Sequence, residues 1–151
     1  MIRKGIKLLL IVLWMVLIFF FSMDSGVASS KKSNSIVIQV GEFITHRQFN
    51  QEEKEKIIEV YETPVRKCAH FFLYFVLELF ILWFIVEFHP LTRRDYFIGL
   101  ILLFLYACSD EIHQLFVHER SGEILDVMID TMGGVCSSLI VFLFKNKKKK
   151  T

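Results

Sequence analysis

Four long apolar runs constrain this chain more than any other feature. They cover approximately residues 6–23, 65–88, 96–116 and 124–144, and a helix needs roughly 20 apolar residues to cross a bilayer. Hydrophobic residues make up 54% of the 151 residues, and 16 are Phe, which is too apolar for a soluble core of that size. The sequence therefore predicts a single all-α membrane domain over residues 1–151, with four transmembrane helices.

The first run has a second interpretation, as a cleavable signal peptide. Basic residues precede it, and Gly26, Val27 and Ala28 supply small side chains near a cleavage point. However, its apolar core is longer than the about 7 to 15 residues usual for signal peptides. We therefore expect the first run to be retained as a span.

Basic clusters border the apolar runs and predict an orientation. Four spans place both termini on the same side, and most of the clusters fall on that side. By the positive-inside rule this side is the cytoplasm, so loops 24–64 and 117–123 are predicted to be extracytoplasmic. The cytoplasmic clusters comprise Arg3, Lys4, Lys7, Arg93, Arg94, Lys145 and Lys147 to Lys150.

The loop 24–64 is the longest polar stretch of the chain. Within it, Asn50 followed by acidic and then apolar residues predicts an N-capped surface helix that ends or is reset at Pro64. The loop either forms a short extracytoplasmic cap over the bundle or lies solvated on the membrane surface.

Polar residues follow one face of each of the last three spans. At about 100° per residue, each set falls within an arc of about 100° or less. The sets are Lys67, His70, Tyr74 and Glu78, then Tyr106, Asp110, His113 and Gln114, then Asp126, Asp130, Gly133 and Ser137. Because polar groups in a membrane are costly when they face lipid, these faces should meet protein or water. Gly133 and its small neighbours should let another helix approach closely.

With the predicted topology, the polar ends of all four spans converge near the outer surface. Ser22 and Ser25 follow the first span at this level. We expect a polar pocket in which some residues act as candidate catalytic groups and others bind substrate. The candidate catalytic residues are His70, Asp110, Glu111, His113 and Asp126, and the candidate substrate-binding residues are Arg66, Lys67, Tyr74, Gln114, Arg120 and Asp130.

Three hypotheses remain open for this pocket. In the first, Arg66, Lys67 and Arg120 bind an anionic headgroup, while a histidine and a carboxylate act as general acid and base. In the second, a divalent metal is bound by nitrogen and oxygen ligands, drawn from His70, Asp110, Glu111, His113 and Asp126. In the third, the charges pair with one another and lock the helices together.

No motif settles the reaction, and the cofactor is left unknown. A nucleic-acid partner is not expected, because the basic residues border the membrane. Glu78, near the midplane of its span, motivates a weaker hypothesis of a proton-coupled carrier, for which the chain would have to form a homo-oligomer.

Three motifs follow one another along the chain. They are Val65, Arg66, Lys67, Ala69, His70, Phe71 and Tyr74, then Ser109, Asp110, Glu111, His113, Gln114 and Phe116, then Arg120, Ser121, Gly122, Asp126, Val127, Asp130 and Gly133. In this order they resemble the VanZ-like family, small bacterial membrane proteins named for a teicoplanin resistance factor. Ser22 and Ser25 extend the likeness over essentially the whole chain.

The resemblance implies a multi-pass protein of the bacterial plasma membrane, linked to tolerance of a lipid-tailed glycopeptide antibiotic that acts at the outer face. The resemblance does not indicate which reaction the protein would catalyse. The family often has Pro-Gly before the motif arginine, whereas His118 and Glu119 precede Arg120 here, so a tight turn is less expected.

Together these features predict a protein that recognises, and could modify, an anionic envelope component such as a membrane lipid or a lipid-linked cell-wall precursor. The alternative is a non-enzymatic membrane protein with a binding or regulatory role, in which the buried charges are structural.

Overall fold

The computed structural model describes residues 2–148, without the side chains of 147 and 148. Residues 147 to 150 of the predicted cytoplasmic lysine cluster thus lie outside the described side chains. Within residues 2–148 the chain forms five α-helices and no strand. The helices are α1 (Ile2–Ser22), α2 (Gly26–Thr45), α3 (Gln51–Ile85), α4 (Arg93–Gln114) and α5 (Ile124–Lys148).

Four of the five helices are long and apolar enough to cross a membrane. These segments are Ile2–Ser22, Gln51–Ile85, Arg93–Gln114 and Ile124–Asn146. Large apolar side chains cover their outward faces, with Phe20 63% and Phe97 65% exposed. Such faces suit lipid and would be costly in water. The predicted all-α membrane fold with four spans is confirmed.

The segment between the first two spans is largely helical, since α2 covers Gly26–Thr45 and α3 begins at Gln51. Asn50 caps α3 as predicted: its Oδ1 accepts from the Glu53 N–H at 2.9 Å, and Glu53 Oε2 accepts from the Asn50 N–H at 3.0 Å. Pro64, however, does not end the helix, because α3 continues through it to Ile85. A proline inside a helix removes one backbone hydrogen bond. Near this proline α3 is packed against α2, whose Ser30 hydroxyl donates to Glu62 at 2.7 Å.

The long helix α3 lies at the centre of the bundle and packs against each of the other helices. Its closest neighbour is α5, because Gly133 has no side chain to hold the two backbones apart. A Cβ at Gly133 would lie only 2.3 Å from the Phe71 carbonyl oxygen. Gly134 similarly admits Leu103 of α4. The packing role predicted for these glycines is confirmed.

Buried polar groups also occur away from the helix ends that carry most of the predicted site residues, and Glu78 and Lys7 are two of them. Glu78 is fully buried and accepts a hydrogen bond from the Ser138 hydroxyl at 2.8 Å. Near the N-terminus of α1, Lys7 is buried, donates to the Trp83 carbonyl at 2.9 Å and pairs with Glu87 at 2.6 Å. Lys7 therefore forms a buried ion pair with Glu87 and is also part of the basic N-terminal cluster.

Candidate functional site

The predicted convergence of polar residues occurs in the structure at one end of the bundle. We call this the polar end; it comprises residues 21–34, 62–74, 110–126 and 130. At its centre the Ser22 hydroxyl donates to Asp110 Oδ2 at 2.5 Å. The amide of Gln114 donates to the same Asp110 oxygen at 3.2 Å and to Glu111 Oε1 at 3.1 Å. Three buried polar residues of α4 are thus tied to one another and to the end of α1.

The loop between α4 and α5 forms a tight turn despite the missing Pro-Gly. The Arg120 N–H donates to the Val117 carbonyl at 3.2 Å, and Glu119 adopts the left-handed conformation with φ of 58°. That conformation normally favours glycine, because other residues meet a steric cost there. A tight turn therefore forms here although the sequence made it less expected, and Glu119 occupies its left-handed position.

The turn also fixes the start of α2. The Gly26 N–H donates to the His118 carbonyl at 3.2 Å, and a Cβ at Gly26 would lie 2.1 Å from the Glu119 carbonyl oxygen. The Ser25 hydroxyl caps α2 by accepting from the Ala28 N–H. The two loops of the polar end therefore pack directly on each other.

Arg120 reaches from the turn into the polar end. Its Nη1 donates to Gln114 Oε1 at 3.0 Å and its Nε to the Asp24 carbonyl at 3.2 Å, with a longer contact of 3.5 Å from Nη2 to the Phe21 carbonyl. All of these acceptors are neutral oxygens. Arg120 holds α1, α4 and the turn together without a carboxylate partner within the described residues.

Arg66 and Lys67 are neighbours on α3 but have different partners. Lys67 donates to Asp126 and lies 3.3 Å from Glu123, so it is paired with the first turn of α5. The carboxylate of Glu111 accepts from the Glu123 N–H at 2.9 Å, which adds a second tie to α5. Within residues 2–148, the ion pairs of Arg66 are limited to a long one of 3.4 Å with Glu62, one turn earlier on α3.

Three residues on three helices bring metal-binding atoms together. His70, Glu111 and Asp130 each offer one donor atom, and these atoms lie within 4.8 Å of one another. His70 Nδ1 is 3.6 Å from Asp130 Oδ1, which is too long for a hydrogen bond. We call these residues the His70–Glu111–Asp130 cluster.

Two predicted site residues lie apart from these contacts. The ring of His113 packs on Phe19, with 4.6 Å between ring centroids, and its Nδ1 has no partner among residues 2–148. Tyr74 is completely buried, and its hydroxyl likewise lacks a partner in the described chain. Their predicted roles, like those of the other site residues, stay predictions.

Residues outside the predicted set also contribute to the site. Glu123 shares Lys67 with Asp126, and its spacing of three residues from Asp126 on a helix could have indicated this. Asp24 contributes through its backbone carbonyl, which no side-chain pattern reveals. Helix α2 contributes Ser30, Lys31 and Asn34 only because it folds back over the end of the bundle.

Two cavities adjoin the polar end and share Arg66 and Arg120. The first has a volume of about 460 Å³, and most of its lining residues are polar or charged, among them Ser30, Lys31 and Gln114. The second has a volume of about 270 Å³, lies between α1, α2 and α3, and has a mainly apolar surface that is contributed by its apolar lining residues. These apolar residues are Phe21, Ile36, Val65, Ala69, Phe72 and Leu73.

A bundle of four membrane-length helices with carboxylates, a histidine and two arginines gathered at one end defines a polytopic membrane protein with a polar site. Within this class the chain belongs to the VanZ/LLP1 family, whose sequence model matches residues 7–145, nearly the whole chain. The match confirms the family resemblance of the three motifs. No curated protein and no solved structure matches the chain.

Proposed function

We propose that this protein binds an anionic, lipid-tailed component of the bacterial cell envelope at the polar end of the bundle. The two cavities that share Arg66 and Arg120 support the proposal. The polar cavity is within the size range of small-molecule sites and suits a headgroup, and the apolar cavity suits the start of an acyl or isoprenoid tail. A soluble anion would use only the first of these cavities.

The charge of Arg120 provides the electrostatic reason for an anion. Burial, and then the positive charge of Arg66, lower the pKa of the Arg120 guanidinium. Both effects mean that its charge is poorly compensated, although arginine remains protonated at any physiological pH. A phosphate between Arg66 and Arg120 would relieve both effects and accept charge-assisted hydrogen bonds.

Carboxylates also line the polar cavity and could repel an anion. Two of them, Glu123 and Asp126, share the single positive charge of Lys67, so one of their two negative charges is balanced. The third, Glu119, is at the rim and half exposed. Lys31 also lines this cavity, so the cationic groups at the cavity outnumber the unpaired carboxylates.

The proposed location is the plasma membrane, with the polar end on the extracytoplasmic side. The basic clusters at the N-terminus and at Arg93 and Arg94 favour this orientation by the positive-inside rule. Lipid-linked cell-wall precursors and anionic phospholipids both expose phosphate on that side. Tolerance of glycopeptides such as teicoplanin would then follow from binding at the level where these antibiotics act.

Native mass spectrometry of the purified protein in neutral detergent tests the proposal. Phosphatidylglycerol and undecaprenyl pyrophosphate should bind, whereas phosphatidylcholine, which has no net charge, and glycerol phosphate, which has no tail, should not. The substitution Arg66→Gln should weaken binding about tenfold or more, because a charge-assisted hydrogen bond contributes about 1.5 to 3 kcal/mol. Arg94→Gln, an exposed arginine at the opposite end, is the matched control.

Equal binding of phosphatidylcholine would contradict the proposal, as would equal losses in the two arginine variants. In cells, Asp110→Asn and Arg120→Ala should both impair tolerance at normal protein levels. Unchanged tolerance and an unchanged envelope in both variants would refute the functional part of the proposal.

Modification of the bound component is the fuller form of this proposal. His70 lines the apolar cavity next to the headgroup position and faces Asp130 at 3.6 Å, an arrangement that suits acid–base chemistry. A mass change in the bound lipid, lost in His70→Gln, would establish an enzyme. Lipid binding without any mass change would favour a non-enzymatic binding or regulatory protein.

The hydrogen-bond network of Ser22, Asp110, Gln114 and Glu111 favours the non-enzymatic alternative, because it locks two helices together and leaves these groups little freedom to act on a substrate.

A further inference from the structure

We propose that His70, Glu111 and Asp130 bind one divalent transition-metal ion, Zn²⁺ or Mn²⁺, at the polar end of the bundle. This site goes beyond headgroup binding and stands on different residues from the arginines. Each ligand comes from a different helix, α3, α4 and α5 respectively, so the ion would join three of the four spans.

The distances suit an ion after small adjustments. The three donor atoms lie within 4.8 Å of one another. Nitrogen and oxygen ligands lie about 2.0 to 2.2 Å from Zn²⁺, which places pairs of ligands about 3 to 4 Å apart. Rotamer shifts of about an ångström therefore bring the three atoms to bonding positions.

Asp130 provides the independent observation that a ligand is needed. Its side chain is 0% exposed, and neither carboxylate oxygen has a hydrogen-bond donor anywhere in residues 2–148. His70 Nδ1, the nearest candidate, is also unpartnered at 3.6 Å. A buried carboxylate without donors is strongly unfavourable, and a bound cation at the centre of the cluster would satisfy it.

The surrounding charges favour a doubly positive ion. Asp110 and Glu111 share the neutral amide of Gln114, and Asp130 adds a third carboxylate. Lys67 is occupied by Asp126 and Glu123, while Arg120 is directed at the amide oxygen of Gln114 and two backbone carbonyls. The nearby cations therefore leave the buried carboxylates with excess negative charge.

The chemistry of the donors selects the metal. One imidazole nitrogen with two carboxylates suits Zn²⁺ and Mn²⁺, whereas Mg²⁺ and Ca²⁺ prefer oxygen ligands alone. Three protein ligands leave positions open for water or for a phosphate oxygen. The cluster shares His70 and Glu111 with the metal ligands proposed from sequence and adds Asp130. Two of the other ligands proposed from sequence lie elsewhere, since His113 packs on Phe19 and Asp126 is paired with Lys67.

Metal analysis of the purified protein tests this proposal. The protein is stripped with a chelator, dialysed against Zn²⁺ or Mn²⁺ alone, and analysed by inductively coupled plasma mass spectrometry. We expect about one ion per chain, not displaced by excess Mg²⁺. Asp130→Asn and His70→Gln should weaken binding by tenfold or more, whereas the matched controls Asp126→Asn and His113→Gln should retain the ion.

Thermal unfolding separates loss of the site from loss of the fold. Asp130→Asn removes an unpaired buried charge, so the metal-free variant should unfold at a higher temperature than the metal-free wild type. Zn²⁺ or Mn²⁺ should stabilise the wild type and leave this variant unchanged.

No ion in the wild type, or equal amounts in wild type and Asp130→Asn, would overturn the proposal. Equal losses in the controls would do the same, because the ion would then be bound elsewhere. Lipid binding through Arg66 has its own measurement, so failure of either proposal is distinguishable from failure of the other.

Discussion

The contact between α3 and α5 at Gly133 makes a sharp prediction for Gly133→Ala. The added Cβ would lie 2.3 Å from the Phe71 carbonyl oxygen and 3.1 Å from the Phe75 nitrogen. Both are backbone atoms in the interior of α3, so no side-chain rotation can relieve the overlap. The two helices must separate by about 1 Å to restore an ordinary carbon–oxygen contact.

The cost of this separation follows from the packing. A gap of about 0.5 to 1 Å forfeits about a quarter to a half of the dispersion attraction between atoms that face each other. Overpacking of a well-packed core typically costs about 1 to 3 kcal/mol. We therefore expect Gly133→Ala to lower the free energy of unfolding by about 1 to 3 kcal/mol.

The same separation should disturb the site. Asp130 lies one turn before Gly133 on α5, and His70 immediately precedes Phe71 on α3. Moving α5 away from α3 thus moves Asp130 away from His70. Metal binding by the His70–Glu111–Asp130 cluster should weaken in this variant.

Gly5→Ala is the matched control. A Cβ at Gly5 would meet nothing within 4 Å, and Gly5 lies within α1. Alanine is favoured over glycine in a helix by up to about 1 kcal/mol, so this variant should be as stable as the wild type or more so. The measurement is the free energy of unfolding from SDS titration in mixed micelles. Equal stability of the two alanine variants would refute the close approach of α3 and α5.

Three further predictions concern the turn, the opposite end and the orientation. Glu119→Gly should raise the free energy of unfolding by about 1 kcal/mol, because it removes the cost of φ at 58°, and a decrease would show that the Glu119 side chain stabilises the turn. Lys7 lowers the pKa of Glu87 by donating a hydrogen bond to its carboxylate in an ion pair. This stabilisation is therefore present above the unfolded pKa of about 4.3 and is lost as the pH falls through the folded value. Glu87→Gln should therefore flatten the acid limb of the stability profile, and an unchanged slope would exclude this pair as a contributor. For the orientation, single cysteines are introduced at Glu119 and Arg94 in a cysteine-free background and labelled in intact cells with an impermeant thiol reagent. We expect labelling at Glu119 and none at Arg94. The reverse pattern would place the polar end in the cytoplasm.

The four spans and the segments that meet at the polar end can be predicted from the amino-acid sequence. Span length is a local property, because each helix must carry enough consecutive apolar residues to cross the bilayer. The meeting of Ser22, Asp110 and Asp126 at one end follows from the alternation of four spans. The cap at Asn50 and the packing role of Gly133 were equally local, since each depends on one residue type at one place.

Which of these polar groups contact one another depends on how the helices pack. An arc of about 100° on a helix leaves its rotation undetermined, so His113 could have faced the carboxylates but packs on Phe19 instead. The sequence alone predicts a break at Pro64, whereas in the structure α3 continues through this proline and packs against α2. The meeting of His70, Glu111 and Asp130 depended on contacts among three helices distant in sequence, because rotation and approach of helices are set by how their side chains interlock and not by any one segment.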